Sequence, residues 1–239
     1  MRTLALMLMV ASPAALAAEV SALTPGVSQE SGTMTLSLKL GGYKPLIDSE
    51  AGLKGTPYAD IFGSGAMLLG EIEAERYFWH GYGSAGASLS VGYAEKYASA
   101  LAPPGANVDV KTALKVVPIR LAGTYRYDYL ALHFGIPFVP YAKVGLVYTP
   151  WWSSKGAAAV DYADGVRAAG GKWGFELVGG LSLMLDVLEP RLAHDFASDL
   201  GVVHTYLFGE FTYADVNNFG QNGLDLSSRH WMFGLAFEY

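Results

Sequence analysis

The ten carboxy-terminal residues, His230-Trp-Met-Phe-Gly-Leu-Ala-Phe-Glu-Tyr239, constrain the fold more than any other stretch. Trp231, Phe233, Leu235, Phe237 and Tyr239 alternate with His230, Met232, Gly234, Ala236 and Glu238. Period-two alternation marks a strand with two unlike faces, here one apolar and mostly aromatic, the other small or polar. A soluble domain seldom ends on such an edge, because unpaired backbone and an apolar face invite another chain. A membrane barrel satisfies both: closure pairs the last strand with the first, and lipid covers the apolar face.

The amino terminus fits export. Met1-Arg2-Thr3 is a short positive start, residues 4–10 are apolar, Ser12-Pro13 breaks the run, and Ala15-Leu16-Ala17 is a small-x-small cleavage pattern. We expect a signal peptide over 1–17, a polar periplasmic lead-in over 18–31, and one barrel domain over 32–239. The apolar run is too short to span a bilayer as a helix. With Cys 0, a lipoprotein anchor, a disulfide and a thiolate site are all excluded. Past the signal no run of about eighteen apolar residues occurs. Yet hydrophobic residues make up 51% of the chain and charged residues only 16%, which suits strands that face lipid. The 15 Tyr, 11 Phe and 5 Trp supply enough rings for two interfacial girdles. A net charge of −6 argues against a nucleic-acid partner.

The alternation recurs along the chain and gives eight strands. Met34, Leu36, Leu38 and Leu40 define the first, followed by a loop over 44–64. The second covers 67–79, with Leu68 and Ile72 opposite Glu71, Glu73 and Glu75. A tight turn at 80–83 leads to the third, with Leu89, Val91 and Tyr93 on its apolar parity. The fourth covers 114–127, where Pro118 is awkward in a paired strand and predicts a bulge. The fifth covers 141–149 and ends before Trp151-Trp152, rings expected in an interfacial belt. The sixth covers 173–186 and the seventh 202–213. Between these two, Pro190 opens a short periplasmic helix with Leu192, Phe196 and Leu200 on one face. The fold expected is all-β: a closed antiparallel eight-stranded transmembrane barrel with that helix after strand six.

These features together resemble the small eight-stranded bacterial outer-membrane barrels, and the last strand resembles the signal such barrels show to their insertion machinery. Three pieces resemble an outer-membrane barrel family found mainly in myxobacterial genomes: Val117-Pro-Ile-Arg-Leu-Ala-Gly-Thr-Tyr-Arg126, Ile136-Pro-Phe-Val-Pro-Tyr-Ala-Lys-Val-Gly145, and 185–210 with Gly201-Val-Val-His-Thr-Tyr206. The resemblance implies an outer-membrane location and lipid and lipopolysaccharide as surroundings. It brings no catalytic motif.

Lys39, Glu71, Glu73, Glu75, Arg120, Lys143, Glu176 and Glu210 all fall on the inward parity and are expected to form a lumen charge network. By depth counted along the strands, Arg120 and Glu73 should meet. Arg76 and Lys115 break the parity near strand ends, where long side chains reach the headgroups. No metal spacing, cofactor motif or catalytic motif is present, so no enzyme is expected. The nearest approach to one is Ser228 and His230, two residues apart, the basis of a lipid-hydrolase alternative. The first reading is a structural or surface-interaction barrel with a filled lumen; the other alternative is a narrow channel or small-ligand carrier. Changing Phe237 and Tyr239 together to Ser should prevent membrane insertion and send the chain to periplasmic degradation. Normal amounts of heat-modifiable, membrane-inserted protein would refute that role for the terminal rings.

Overall fold

The computed structural model describes residues 32–50, 53–98, 112–155, 158–159, 168–187, 198–221 and 223–239. The expected signal peptide and the whole of the lead-in lie outside the described residues. The strands are β1 Met34–Tyr43, β2 Met67–His80, β3 Ser84–Tyr97, β4 Thr112–Val116, β5 Ile119–Arg126, β6 Phe138–Lys155, β7 Ala158–Ala159, β8 Ala169–Met184, β9 His204–Asp215 and β10 Ser228–Glu238. Segments β4 and β5 form one stave, and β7 is a short extension on β6. Eight staves remain, each antiparallel to its neighbours.

The ring closes at the seam between β1 and β10, which pair from Thr35↔Glu238 to Gly41↔Met232. Tyr239 prolongs the seam: its N–H reaches the Met34 carbonyl at 2.8 Å, and its carbonyl accepts from Thr33 and Met34 at 2.7 and 3.1 Å. The aromatic end of the chain thus has its backbone satisfied by the first strand, as the opening alternation requires. Trp231, Phe233, Leu235 and Tyr239 stand exposed on the outer wall, and Phe237 is half-buried beside them.

Period two sorts the remaining staves the same way. Leu38, Leu40, Leu68, Ile72, Leu89, Leu121, Val144, Leu146, Leu177 and Leu181 are exposed outside, while the residues between them are buried inside. Phe78, Trp79 and Tyr82 ring the end that holds both barrel termini; Tyr93, Tyr97, Trp173 and Trp231 ring the other. Arg76 is exposed near the first end, and Lys115 pairs with Glu95 at 3.3 Å near the second.

Several local expectations are corrected. Pro118 produces an interruption, not a bulge: Val91↔Ile119 and Ala94↔Val116 keep one register across the gap. Proline lacks the N–H a ladder needs. The flanking groups are still used, Gly92 N–H donating to the Pro118 carbonyl at 2.8 Å and Val117 N–H to the Pro150 carbonyl at 3.0 Å. The register shift lies instead between Tyr77 and Trp79 of β2. Trp151 and Trp152 belong to β6, which runs further outward than expected because β4 and β8 both pair with its end. The loop over 44–64 contains a 3-10 turn, Ile47–Ser49, and the helix α1, Pro57–Phe62. A second helix, α2 Tyr129–Phe134, lies in the connection after β5, where none was expected. In the connection after β8, residues 198–200 are helical, whereas 188–197 lie outside the described residues. Leu200 is exposed there, and Leu192 and Phe196 of the expected apolar face lie outside the described residues.

Close approach between staves is set by glycine. A methyl at Gly174 of β8 would collide with the Asp215 carbonyl, whereas one at Gly179 meets nothing within 4 Å. Gly174→Ala should therefore lower the urea midpoint of the folded barrel, at about 1–3 kcal/mol, while Gly179→Ala on the same strand stays near wild type. Equal midpoints for the two variants would contradict this approach of β8 to β9.

Candidate functional site

Side chains fill the barrel in three layers. The middle layer is charged. Lys39 of β1 reaches Glu73 and Glu210 at 2.9 Å each and Glu71 at 3.3 Å. Lys143 of β6 pairs with Glu73 and Glu75. Arg120 of β5 pairs with Glu71 and, through Nε, with Glu176 at 3.0 Å. All eight residues of the expected network are buried, and their contacts join them into one cluster. The Tyr141 hydroxyl donates to Glu210 at 2.8 Å, and that of Tyr77 to Glu75.

Arg120 does not meet Glu73. The two share a hydrogen-bonding level through Ser90, which pairs with both Glu73 and Arg120. Staves in a closed barrel tilt, so positions on one hydrogen-bonding level lie at different heights along the axis. Arg120 reaches Glu71, two residues further outward on β2, and Glu73 is left to the two lysines.

The outer layer is apolar. Tyr43, Met67, Leu69, Val116, Val147 and Met232 pack with Ile47, Tyr58 and Leu226 from the outer connections. Pro57 opens α1, whose free Tyr58 and Ala59 N–H groups donate to the Asp48 carboxylate at 2.7 and 3.1 Å. Ile47 and Tyr58 thereby stopper the mouth, and burial pushes the Tyr58 phenol up to about 12, the Asp48 charge adding to the effect. The cap is tied across the mouth. Leu46 N–H donates to the Ser227 carbonyl at 2.9 Å, Tyr43 Oη to the Leu226 carbonyl at 2.7 Å, and Gly223 N–H to Glu50 at 2.8 Å.

At the inner end, Ala131 and Leu132 of α2 pack on Val139, Met184, Tyr206, Phe208 and Ala236. A second ion pair, absent from the sequence expectation, sits there. Arg126 meets Glu238 at 2.5 Å and lies over the Tyr77 and Tyr206 rings at 4.7 and 5.0 Å. Glu238 also accepts from Tyr206 Oη at 2.8 Å and Gly32 N–H at 2.6 Å, anchoring the last strand to the floor. Its signal was present in the inward parity of Arg126 and Glu238. Between this pair and Lys143 lies a cavity of about 20 Å³ lined by Glu73, Glu75, Thr124 and Tyr141, room for roughly one water molecule.

The Ser228 hydroxyl and His230 Nδ1 are 3.2 Å apart, but both side chains are buried beneath the cap, and Ser228 has no exposed surface. His230 stands edge-on to Tyr43 at 5.8 Å. His204 pairs with Asp186 at 2.6 Å near the opposite end. Among the described residues no group of three or more His, Asp or Glu is arranged to hold a metal ion.

Solved structures similar to this chain include those of three proteins. The attachment invasion locus protein Ail of Yersinia pestis, crystallised with the heparin analogue sucrose octasulfate, is 12% identical, with 88% of this chain and 100% of that chain covered and a TM-score of 0.45. Neisserial surface protein A is 14% identical, with 87% and 98% covered and a TM-score of 0.45. The outer-membrane protein OprG of Pseudomonas aeruginosa is 14% identical, with 88% and 97% covered and a TM-score of 0.48. No family model matches the chain, and no curated protein matches it.

Removing the Arg120 guanidinium leaves Glu71 and Glu176 buried together without it. Arg120→Ala should cost about 3–5 kcal/mol of barrel stability, read from urea titration of the heat-modifiable form. Adding Glu176→Gln should restore part of the loss. Glu75→Gln, which does not touch Arg120, should restore none. Strict additivity for the Arg120–Glu176 pair would show the two uncoupled.

Proposed function

We propose that this chain is an integral outer-membrane barrel with a structural or surface-interaction role, a closed body that holds its outer connections at the cell surface. The observation that carries this reading is the direction of the two parities. Leu38, Leu40, Ile72, Leu89, Leu121, Val144 and Leu177 face out, and Lys39, Glu73, Arg120, Lys143 and Glu210 face in. A soluble ligand-binding barrel needs the reverse arrangement. In water this outer wall would be one continuous apolar band; in a bilayer it is solvated, and the two aromatic girdles sit at the headgroups.

Lipid and lipopolysaccharide are then the immediate partners. The terminal strand, with Trp231, Phe233, Leu235, Phe237 and Tyr239 on its lipid face, serves the insertion machinery. Export through the signal over 1–17 and kinship with the myxobacterial barrels belong to the same proposal and rest on the sequence motifs alone.

A channel is disfavoured by the packing. A solute would have to cross the Tyr58 and Met232 layer, the ion-pair layer and the floor around Leu132 and Tyr206, all buried and in contact. A lipid hydrolase is disfavoured by access, because a nucleophile must touch its ester and the Ser228 side chain touches only the barrel interior. Planar-bilayer recordings of the purified protein should therefore show no steady current. Stable, stepwise openings that disappear when the lumen charges are altered would establish a channel instead.

A further inference from the structure

The β9–β10 connection turns through Asn217-Asn218-Phe219-Gly220. Asn218 and Phe219 both occupy the left-handed region, with φ of 56° and 58°. Asparagine tolerates it, but for a side chain as bulky as phenylalanine it is an outlier. Four hydrogen bonds hold the turn. Asn218 N–H donates to the Trp173 carbonyl at 2.9 Å, and Asn218 Oδ1 accepts from Trp173 N–H at 2.8 Å. Asn217 accepts from Gly220 N–H through its side chain at 2.7 Å and from Gln221 N–H through its carbonyl at 3.2 Å. The outcome of this restrained, strained backbone is a ring left 66% exposed, while Val216 and Leu226 of the same connection are buried.

The height of this ring follows from β8. Its outward row runs Leu183, Leu181, Leu177, Phe175 and Trp173. From Leu183 to Trp173 at roughly 3.3 Å per residue and a tilt of about 40°, the row spans roughly 25 Å, the height of a barrel's apolar band. Trp173, packed on Tyr148 at 4.7 Å between ring centroids, therefore stands at the outer edge of the band. Asn218 is bonded to both the N–H and the carbonyl of Trp173, so the turn lies at that edge. Its other members, Asn217, Asn218, Gly220 and Gln221, carry no charge to resist contact with headgroups.

We propose that residues 217–220 are a lipid-surface anchor that seats Phe219 in the interfacial region of the outer leaflet. The anchor rests on the outer-membrane reading above. An aromatic ring at that depth extends the girdle beyond the staves, and the hydrogen-bonded turn spares it the ordering cost a loose loop would incur.

Because the chain has Cys 0, single-cysteine labelling tests this directly. Full-length Phe219→Cys and Leu177→Cys proteins would carry a small fluorophore in phosphatidylcholine–phosphatidylglycerol vesicles. The lipids would bear a nitroxide near the headgroup or near the chain end, and iodide would be the aqueous quencher. The Phe219 label should lose most of its emission to the shallow nitroxide and little to iodide, and the Leu177 label should respond to a nitroxide in the membrane. If the Leu177 label is open to iodide, the membrane reading itself fails and takes this inference with it. If the Leu177 label responds to lipid while the Phe219 label responds to iodide alone, only the anchor is overturned, and the ring faces water, where a protein partner could bind it.

Discussion

Burying charge inside a closed sheet is the condition on which this structure depends. An eight-stave barrel has an interior just wide enough for side chains, so bulk water cannot solvate what points inward. Three cations and five carboxylates nevertheless occupy the middle layer. They are tolerable because each cation serves two or three carboxylates: Lys39 takes three, Lys143 two and Arg120 two. The surplus of acceptors is met in part by neutral donors, the hydroxyls of Tyr77 and Tyr141. Such a network is a weak net source of stability compared with an apolar core. Its effect is on register. A shift of any stave by one residue would send its charges to the lipid face and its leucines inward.

The same condition explains what was legible in the sequence. Parity is a property of each strand taken alone, so the faces of Lys39, Glu71, Glu73, Glu75, Arg120, Lys143, Glu176 and Glu210 could be read without knowing their neighbours. The partner of each charge could not, because it depends on tilt and on how far one stave is staggered against the next. Arg120 shows the difference: its inward direction follows from alternation, whereas its pairing with Glu71 and not Glu73 follows from barrel geometry. Pro118 shows another limit. Proline announces a missing donor, but whether the chain inserts a residue there or keeps register depends on both neighbouring staves, and here register is kept.

The apolar layers were harder to see because they use the inward parity, which the middle of each strand marks as polar. Met67, Leu69, Val116, Val147 and Met232 are inward residues of one buried apolar cluster. Read locally they look like lapses in alternation. They make sense only together, with Ile47 and Tyr58 arriving from a connection that carries no period-two pattern. Tyr58 depends on α1, six residues long, too short for a periodic signal and held by the distant Asp48 carboxylate. The inner floor has the same character, since α2 contributes only Ala131 and Leu132 to it.

This layering has a mechanical consequence. Ion pairs between staves strengthen where water is excluded, and the two apolar layers exclude it from both ends. The caps and the network are thus mutually supporting: an open mouth would hydrate Lys39 and Glu210, and an unpaired network would draw water past Met232. A barrel built this way resists opening as a whole. The connections beyond the staves are not independent of the core. The link between Gly223 and Glu50 and that between Leu46 and Ser227 couple the β1–β2 and β9–β10 connections to each other. The bonds from Asn218 to Trp173 couple the second of these to the wall. The filled interior therefore does more than block passage: through Tyr43, Ile47 and Leu226 it sets the height and spacing of the connections at that mouth.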